Sequence, residues 1–89
     1  MRITADLSLY PLADDYKPVI IDFIRNMEGT DGLEIVVNQL STQLRGEFEV
    51  VTGAINRCLE KSMRDHGKQI LVVKYLAADL PISEAPGLD

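Results

Sequence analysis

Residues 2–10 alternate without a break. Ile3, Ala5, Leu7 and Leu9 share one parity, and Thr4, Asp6, Ser8 and Tyr10 share the other. Successive side chains of a strand point to opposite faces, so this segment reads as a β-strand with one apolar and one polar face. Pro11 ends it. Whatever fold the chain takes must cover one side of this strand and leave the other side different.

The next segments alternate in type. Asp15 to Met27 reads as a helix, with Tyr16, Ile20, Phe23 and Met27 spaced to share one face. Asp15 is the expected N-cap, which puts Pro18 in the first turn, where its missing N–H is harmless. Gly29 and Thr30-Asp31-Gly32 supply the stop and the turn. Residues 33–38 form a second strand, Gln39-Leu40 a tight turn, and residues 41–47 a third strand holding Gly46. So short a connection demands an antiparallel hairpin. A second helix spans 49–66, with Val51, Ile55, Cys58, Leu59, Ser62 and Met63 as its buried stripe. Glu47 and Glu49 lie near its positive end, Arg64 and His66 near its negative end, and Gly67 follows as the C′ residue. Residues 68–76 form a fourth strand, apolar on both parities through Ile70-Leu71-Val72-Val73.

The order β-α-β-β-α-β specifies an α+β, ferredoxin-like domain: a four-stranded antiparallel sheet with both helices on one face. The first and third strands are then central. The domain occupies residues 1–76, and residues 77–89, with Pro81, Pro86 and Gly87, form an extended acidic tail. Leu80 and Ile82 are its apolar positions, suited to docking on a neighbour.

The face without helices carries Thr4, Asp6, Ser8 and Tyr10, joined by Glu34, Val36, Asn38, Gln43 and Arg45. Leu71, Val73 and Tyr75 are expected there from the fourth strand. Such a mixture exceeds what a solvated face needs. A merely packed face would not hold Asp6, Glu34 and Arg45 unpaired. A sheet-to-sheet dimer interface and a ligand pocket at or near one both fit.

At 89 residues the chain suffices for one small domain with a modest core, which partner subunits would support. The net charge is −5, with Asp79, Glu84 and Asp89 and no base in the tail. No Lys/Arg cluster exists to bind nucleic-acid phosphate. No apolar run is long enough to span a bilayer, and Arg2 with Asp6 argues against a signal peptide. The single cysteine, Cys58, fits a reducing compartment, and the expectation is a cytoplasmic protein.

Motifs for catalysis are lacking. One His and one Cys cannot build a zinc site of ordinary spacing, and no nucleophile elbow, P-loop or dinucleotide loop occurs. Asp14-Asp15 reads as helix-start chemistry. No metal or cofactor is expected. The pattern favours a protein that is not an enzyme, although Arg45 and Asn38 would be the residues of a small ferredoxin-like catalyst.

Two stretches carry a resemblance. Ile3-Thr4-Ala5-Asp6-Leu7-Ser8-Leu9-Tyr10-Pro11-Leu12, followed by Asp14-Asp15-Tyr16, is one; Leu40-Ser41-Thr42-Gln43-Leu44-Arg45-Gly46-Glu47 is the other. Over about residues 3 to 76 the chain resembles the YkoF-like thiamine/hydroxymethylpyrimidine-binding family. The resemblance implies a ferredoxin-like domain that binds thiamine or its pyrimidine half without transforming it. It implies assembly as well: Bacillus-type members carry two copies in one chain, so a homodimer or homotetramer would replace that pairing here. By the resemblance, Ser8 and Thr42 are the first ligand contacts, with Ser41, Asn38 and Tyr10 behind them. Hydroxyls and an amide suit an aminopyrimidine, Tyr10 suits stacking on its ring, and Asp6 or Glu34 suits a thiazolium cation. Parity raises a conflict. Thr42 shares a face with Leu44, away from Ser8, so either a bulge near Ser41 shifts the register or the pocket wraps a sheet end.

The leading expectation is a carrier, buffer or sensor for thiamine or hydroxymethylpyrimidine. The alternative is a structural or regulatory oligomerisation module without a small ligand.

Overall fold

A computed structural model describes residues 1–88; Asp89, the last acid of the tail, lies outside the described residues. The elements are β1 (Arg2–Pro11), α1 (Lys17–Glu28), β2 (Glu34–Val37), β3 (Thr42–Glu47), α2 (Phe48–His66) and β4 (Gln69–Leu76). The sheet order is β2-β3-β1-β4, and every neighbouring pair is antiparallel. Both helices pack on one face, the ferredoxin-like arrangement expected from the element order.

The core forms where the apolar parity of β1 meets the helices. Ile3, Ala5 and Leu7 pack with Leu44 of β3, Phe23 and Met27 of α1, and Val51, Ala54, Ile55 and Cys58 of α2. Gly46 explains the weak strand propensity of β3. A Cβ there would lie 2.8 Å from the Gly32 carbonyl oxygen, so the 30–33 turn closes onto the strand only because that atom is missing.

Local expectations need correction in three elements, α1, α2 and β4. Asp15 does not cap α1. Tyr16 holds the cap position, and no side chain bonds the first-turn amides, although Pro18 does sit in that turn. The buried row of α1 is Val19, Phe23 and Met27, with Tyr16 exposed. Val19 and Ile20 are both apolar, so either row was available, and Tyr16 precedes the helix and cannot extend one. In α2, Met63 is 44% exposed, because the stripe leaves the core through Ser62, whose hydroxyl bonds the Gln69 side chain at 2.9 Å.

The third correction concerns β4. Leu71, Val73 and Tyr75 stand opposite Leu9, Leu7 and Ala5, on the helix side, and the first two pack against the core. The open face instead receives Ile70, Val72, Lys74 and Leu76. An edge strand that is apolar on both parities carries no pattern to fix its register; the turn at Gly67 fixes it.

The tail folds back over one half of the open face. The Thr4 hydroxyl donates to the Ala78 carbonyl at 2.7 Å and accepts the Leu80 N–H at 3.0 Å. Asp79 accepts from Arg2 Nε at 3.1 Å and Arg45 Nε at 2.6 Å, and Arg45 Nη1 also reaches Glu34 at 3.3 Å. Leu80 and Ile82 thus face the chain's own sheet across a cleft.

Candidate functional site

The ladders fix where each backbone group of β1 points. Phe48 N–H bonds the Met1 carbonyl, and Leu12 N–H bonds the Lys68 carbonyl. Both bonds extend the strand registers by one step, so odd residues of β1 bond toward β3 and even residues toward β4. The β1–β3 ladder runs unbroken from Arg2↔Glu47 to Leu7↔Thr42, and there it stops. Strand β1 continues to Pro11 against β4 alone.

The next odd residue is Leu9. Its N–H and C=O face the place where β3 would have continued. The hairpin instead closes through Asn38 N–H to the Ser41 carbonyl at 2.8 Å and turns its tip aside. Among the described residues nothing bonds the Leu9 peptide groups. Pro11, the odd residue after it, has no N–H to leave unmet on that side.

The gap is a cavity of about 150 Å³ at the end of the sheet. Its walls are Ser8, Leu9 and Tyr10 from β1 and the hairpin residues Asn38 to Thr42; Ile20, Phe23 and Ile24 of α1 close its floor. Five of the residues singled out from sequence therefore meet in one place: Ser8, Tyr10, Asn38, Ser41 and Thr42. The parity conflict is resolved without a bulge. Thr42 does point to the helix side with Leu44, and Ser8 to the open side, but a cavity that wraps the sheet end touches both.

The polar groups here are largely uncommitted. Ser8 Oγ donates to the Leu40 carbonyl at 3.4 Å, the long limit for such a bond. The side chains of Asn38, Ser41 and Thr42 make no hydrogen bond among the described residues. Tyr10 is half exposed, its ring available for stacking. What sequence reasoning missed is the Leu9 peptide group. Its signal was Pro11 on the same parity, a residue that tolerates only an unpaired side.

Asp6 is not part of this cavity. It lies under the tail, opposite Gln43 on β3 and Lys74 on β4. Glu34 is held by Arg45 at the same end of the sheet. There the hydrogen bond from Arg45 holds the Asp79 carboxyl below its ordinary range, with Arg2 adding to the effect. Reciprocally, the bond to Asp79 raises the Arg45 guanidinium. Cys58 is sealed in the core, and burial pushes its thiol up, away from the reactive thiolate. No group of metal-ligating side chains occurs among the described residues, and no described helix is long and apolar enough to cross a membrane.

A model of the YkoF-related family matches residues 2–82. Several solved structures share the fold. A protein of Streptococcus pneumoniae is 22% identical, with 90% of each chain covered and a TM-score of 0.82. A domain of unknown function from Bacillus cereus is 22% identical, with 93% of this chain and 85% of that one covered and a TM-score of 0.76. A Thermotoga maritima protein described as a candidate for thiamine biosynthesis or salvage is 17% identical, with 97% and 90% covered and a TM-score of 0.73. No curated protein matches the chain.

Proposed function

We propose, starting from the fact that this chain belongs to the YkoF-related family, that the sheet-end cavity binds the pyrimidine half of thiamine, or free hydroxymethylpyrimidine, without transforming it. The observation that carries the reading is the Leu9 peptide. An unpaired N–H beside an unpaired C=O complements a ring nitrogen beside an exocyclic amino group, the edge an aminopyrimidine presents. Ser8 and Thr42 stand on either side of that peptide, Ser41 and Asn38 supply further donors and acceptors, and Tyr10 offers a stacking face. The thiamine connection of the Thermotoga maritima relative supports the same ligand class.

Size sharpens the reading. About 150 Å³ is below the roughly 300–1,000 Å³ that encloses a drug-sized ligand. The cavity suits one ring, so a thiazolium attached to it lies outside, toward Tyr10. The protein is then a carrier, buffer or sensor in a reducing, cytoplasmic setting, consistent with its unpaired Cys58.

Calorimetric titration with thiamine and with hydroxymethylpyrimidine tests this. The expected result is saturable binding of both, weakened about tenfold by Ser8→Ala or Thr42→Ala, one hydrogen bond each. The ligand is recovered unchanged. No heat from either compound at millimolar concentration refutes the reading.

A second reading rests on the uncovered half of the open face, where Tyr10, Ile70 and Val72 are each about half exposed. That apolar area suits a second copy of the chain, in a homodimer or homotetramer. Sedimentation that shows self-association unchanged by Ser8→Ala and Thr42→Ala, with no ligand bound, favours an oligomerisation module.

A further inference from the structure

The tail does more than cover the sheet. Between it and the open face lies a cleft of about 810 Å³, within the range that encloses small organic ligands. Its floor is Thr4, Asp6, Gln43, Lys74 and Leu76; its roof is residues 80–87. The roof is latched at one end by the two bonds of Thr4 and by Asp79 between Arg2 and Arg45.

One atom at the floor of this cleft is anomalous, and it is shut off from solvent while the roof is down. Asp6 Oδ1 is buried and makes no hydrogen bond, alone among the buried side-chain polar atoms of the described residues. A buried carboxylate oxygen without a donor is unfavourable, and a donor brought to it recovers that loss. The chain's own candidates do not supply one. Gln43 and Lys74 flank Asp6 across the ladders, yet neither hydrogen-bonds to it, and Lys74 makes no ion pair among the described residues. Glu84 adds a second carboxylate from the roof, so acids outnumber bases along the cleft walls. The remaining lining is apolar, chiefly Leu76, Leu80, Pro81 and Ile82.

We propose that this cleft is a second binding site, separate from the sheet-end cavity, for a compact organic cation carrying an amidinium or primary ammonium on an apolar body. Asp6 accepts the cationic N–H groups, Glu84 adds to the attraction, and Leu76, Leu80 and Ile82 take the apolar body. The roof yields near Gly87, away from the Thr4 and Asp79 latch that holds its other end. The proposal does not depend on what occupies the sheet-end cavity, because the two sites share no residue.

The test uses benzamidinium and its neutral counterpart benzamide, followed by amide chemical shifts of the whole chain. Benzamidinium is expected to shift residues 4–6, 74–76 and 80–87 saturably. It should bind about tenfold or more tighter than benzamide, the margin of a charge-assisted hydrogen bond. Asp6→Asn, which keeps the side-chain shape, abolishes that margin. Glu84→Gln on the exposed roof narrows it without touching the core, and Ser8→Ala and Thr42→Ala leave it intact. Equal binding of the two probes overturns the proposal. So do shifts confined to residues 8–10 and 38–42, or a margin that survives both Asp6→Asn and Glu84→Gln.

Discussion

Replacing Thr4 by valine isolates what holds the tail on the sheet. Thr4 is 7% exposed, and valine keeps its branched shape, so the core beneath is undisturbed. The hydroxyl makes two bonds, to the Ala78 carbonyl at 2.7 Å and from the Leu80 N–H at 3.0 Å. Each contributes about 1 kcal/mol net, so the tail loses about 2 kcal/mol of docking energy. With tenfold per 1.4 kcal/mol, its open population rises about thirtyfold. The tail touches the sheet from outside, and the ladders of β1 with β3 and β4 run through backbone groups the substitution does not alter. The loss is therefore local. Native-state hydrogen exchange reads it directly: the Leu80 amide should exchange about thirtyfold faster, while the amides of Ala5 and Leu44 keep their protection. The reasoning is refuted if Leu80 exchange is unchanged, or if core amides accelerate in step with it.

Further expectations follow from the same geometry. Gly46→Ala drives a Cβ to 2.8 Å from a backbone carbonyl oxygen that has no flexible end to move, and should cost about 1–3 kcal/mol in a urea titration. The pH dependence of the tail has a definite sign. The Asp79 carboxyl titrates below its ordinary range in the folded chain, because Arg45 bonds its charged form. Its stabilisation is thus fully present above the unfolded value of about 3.9 and is lost as pH falls through the lower folded value. Chemical shifts of residues 78–82 should stay constant from neutral pH to the ordinary carboxylate range and move only below it. Movement of those shifts near neutral pH would contradict the assignment.

How much of this was legible in sequence depends on pattern strength, residue by residue. Strand β1 could be read outright, because one parity is apolar and the other polar over its full length. The order of elements followed from the turn residues and from the short 38–41 connection, and with it the whole topology. Strand β4 could not be placed, since Ile70 to Val73 satisfy either face and the parity is decided three residues earlier, at a glycine with φ of +84°. The start of α1 is not where Asp15 suggests it: Asp15 has the chemistry of a cap, but the helix begins one residue later, after Tyr16, with no side chain on its first-turn amides. At the sheet-end cavity, the side chains were accessible to sequence reasoning, whereas the backbone left only an indirect trace, Pro11 on the parity of Leu9. Nothing in the identity of Leu9 announces an unpaired peptide; it arises from where a neighbouring strand begins.

That last point bears on how such a site changes over time. Strand β1 is an interior strand up to Leu7 and a boundary strand from Ser8 onward, and the cavity occupies the crossover between the two roles. The 38–41 tip forms one of its walls. Insertions or deletions there leave Ile3, Leu7 and Leu44 where they are. The hairpin tip is therefore a tuning element: the cavity can be reshaped through it while the packing of the core stays as it is.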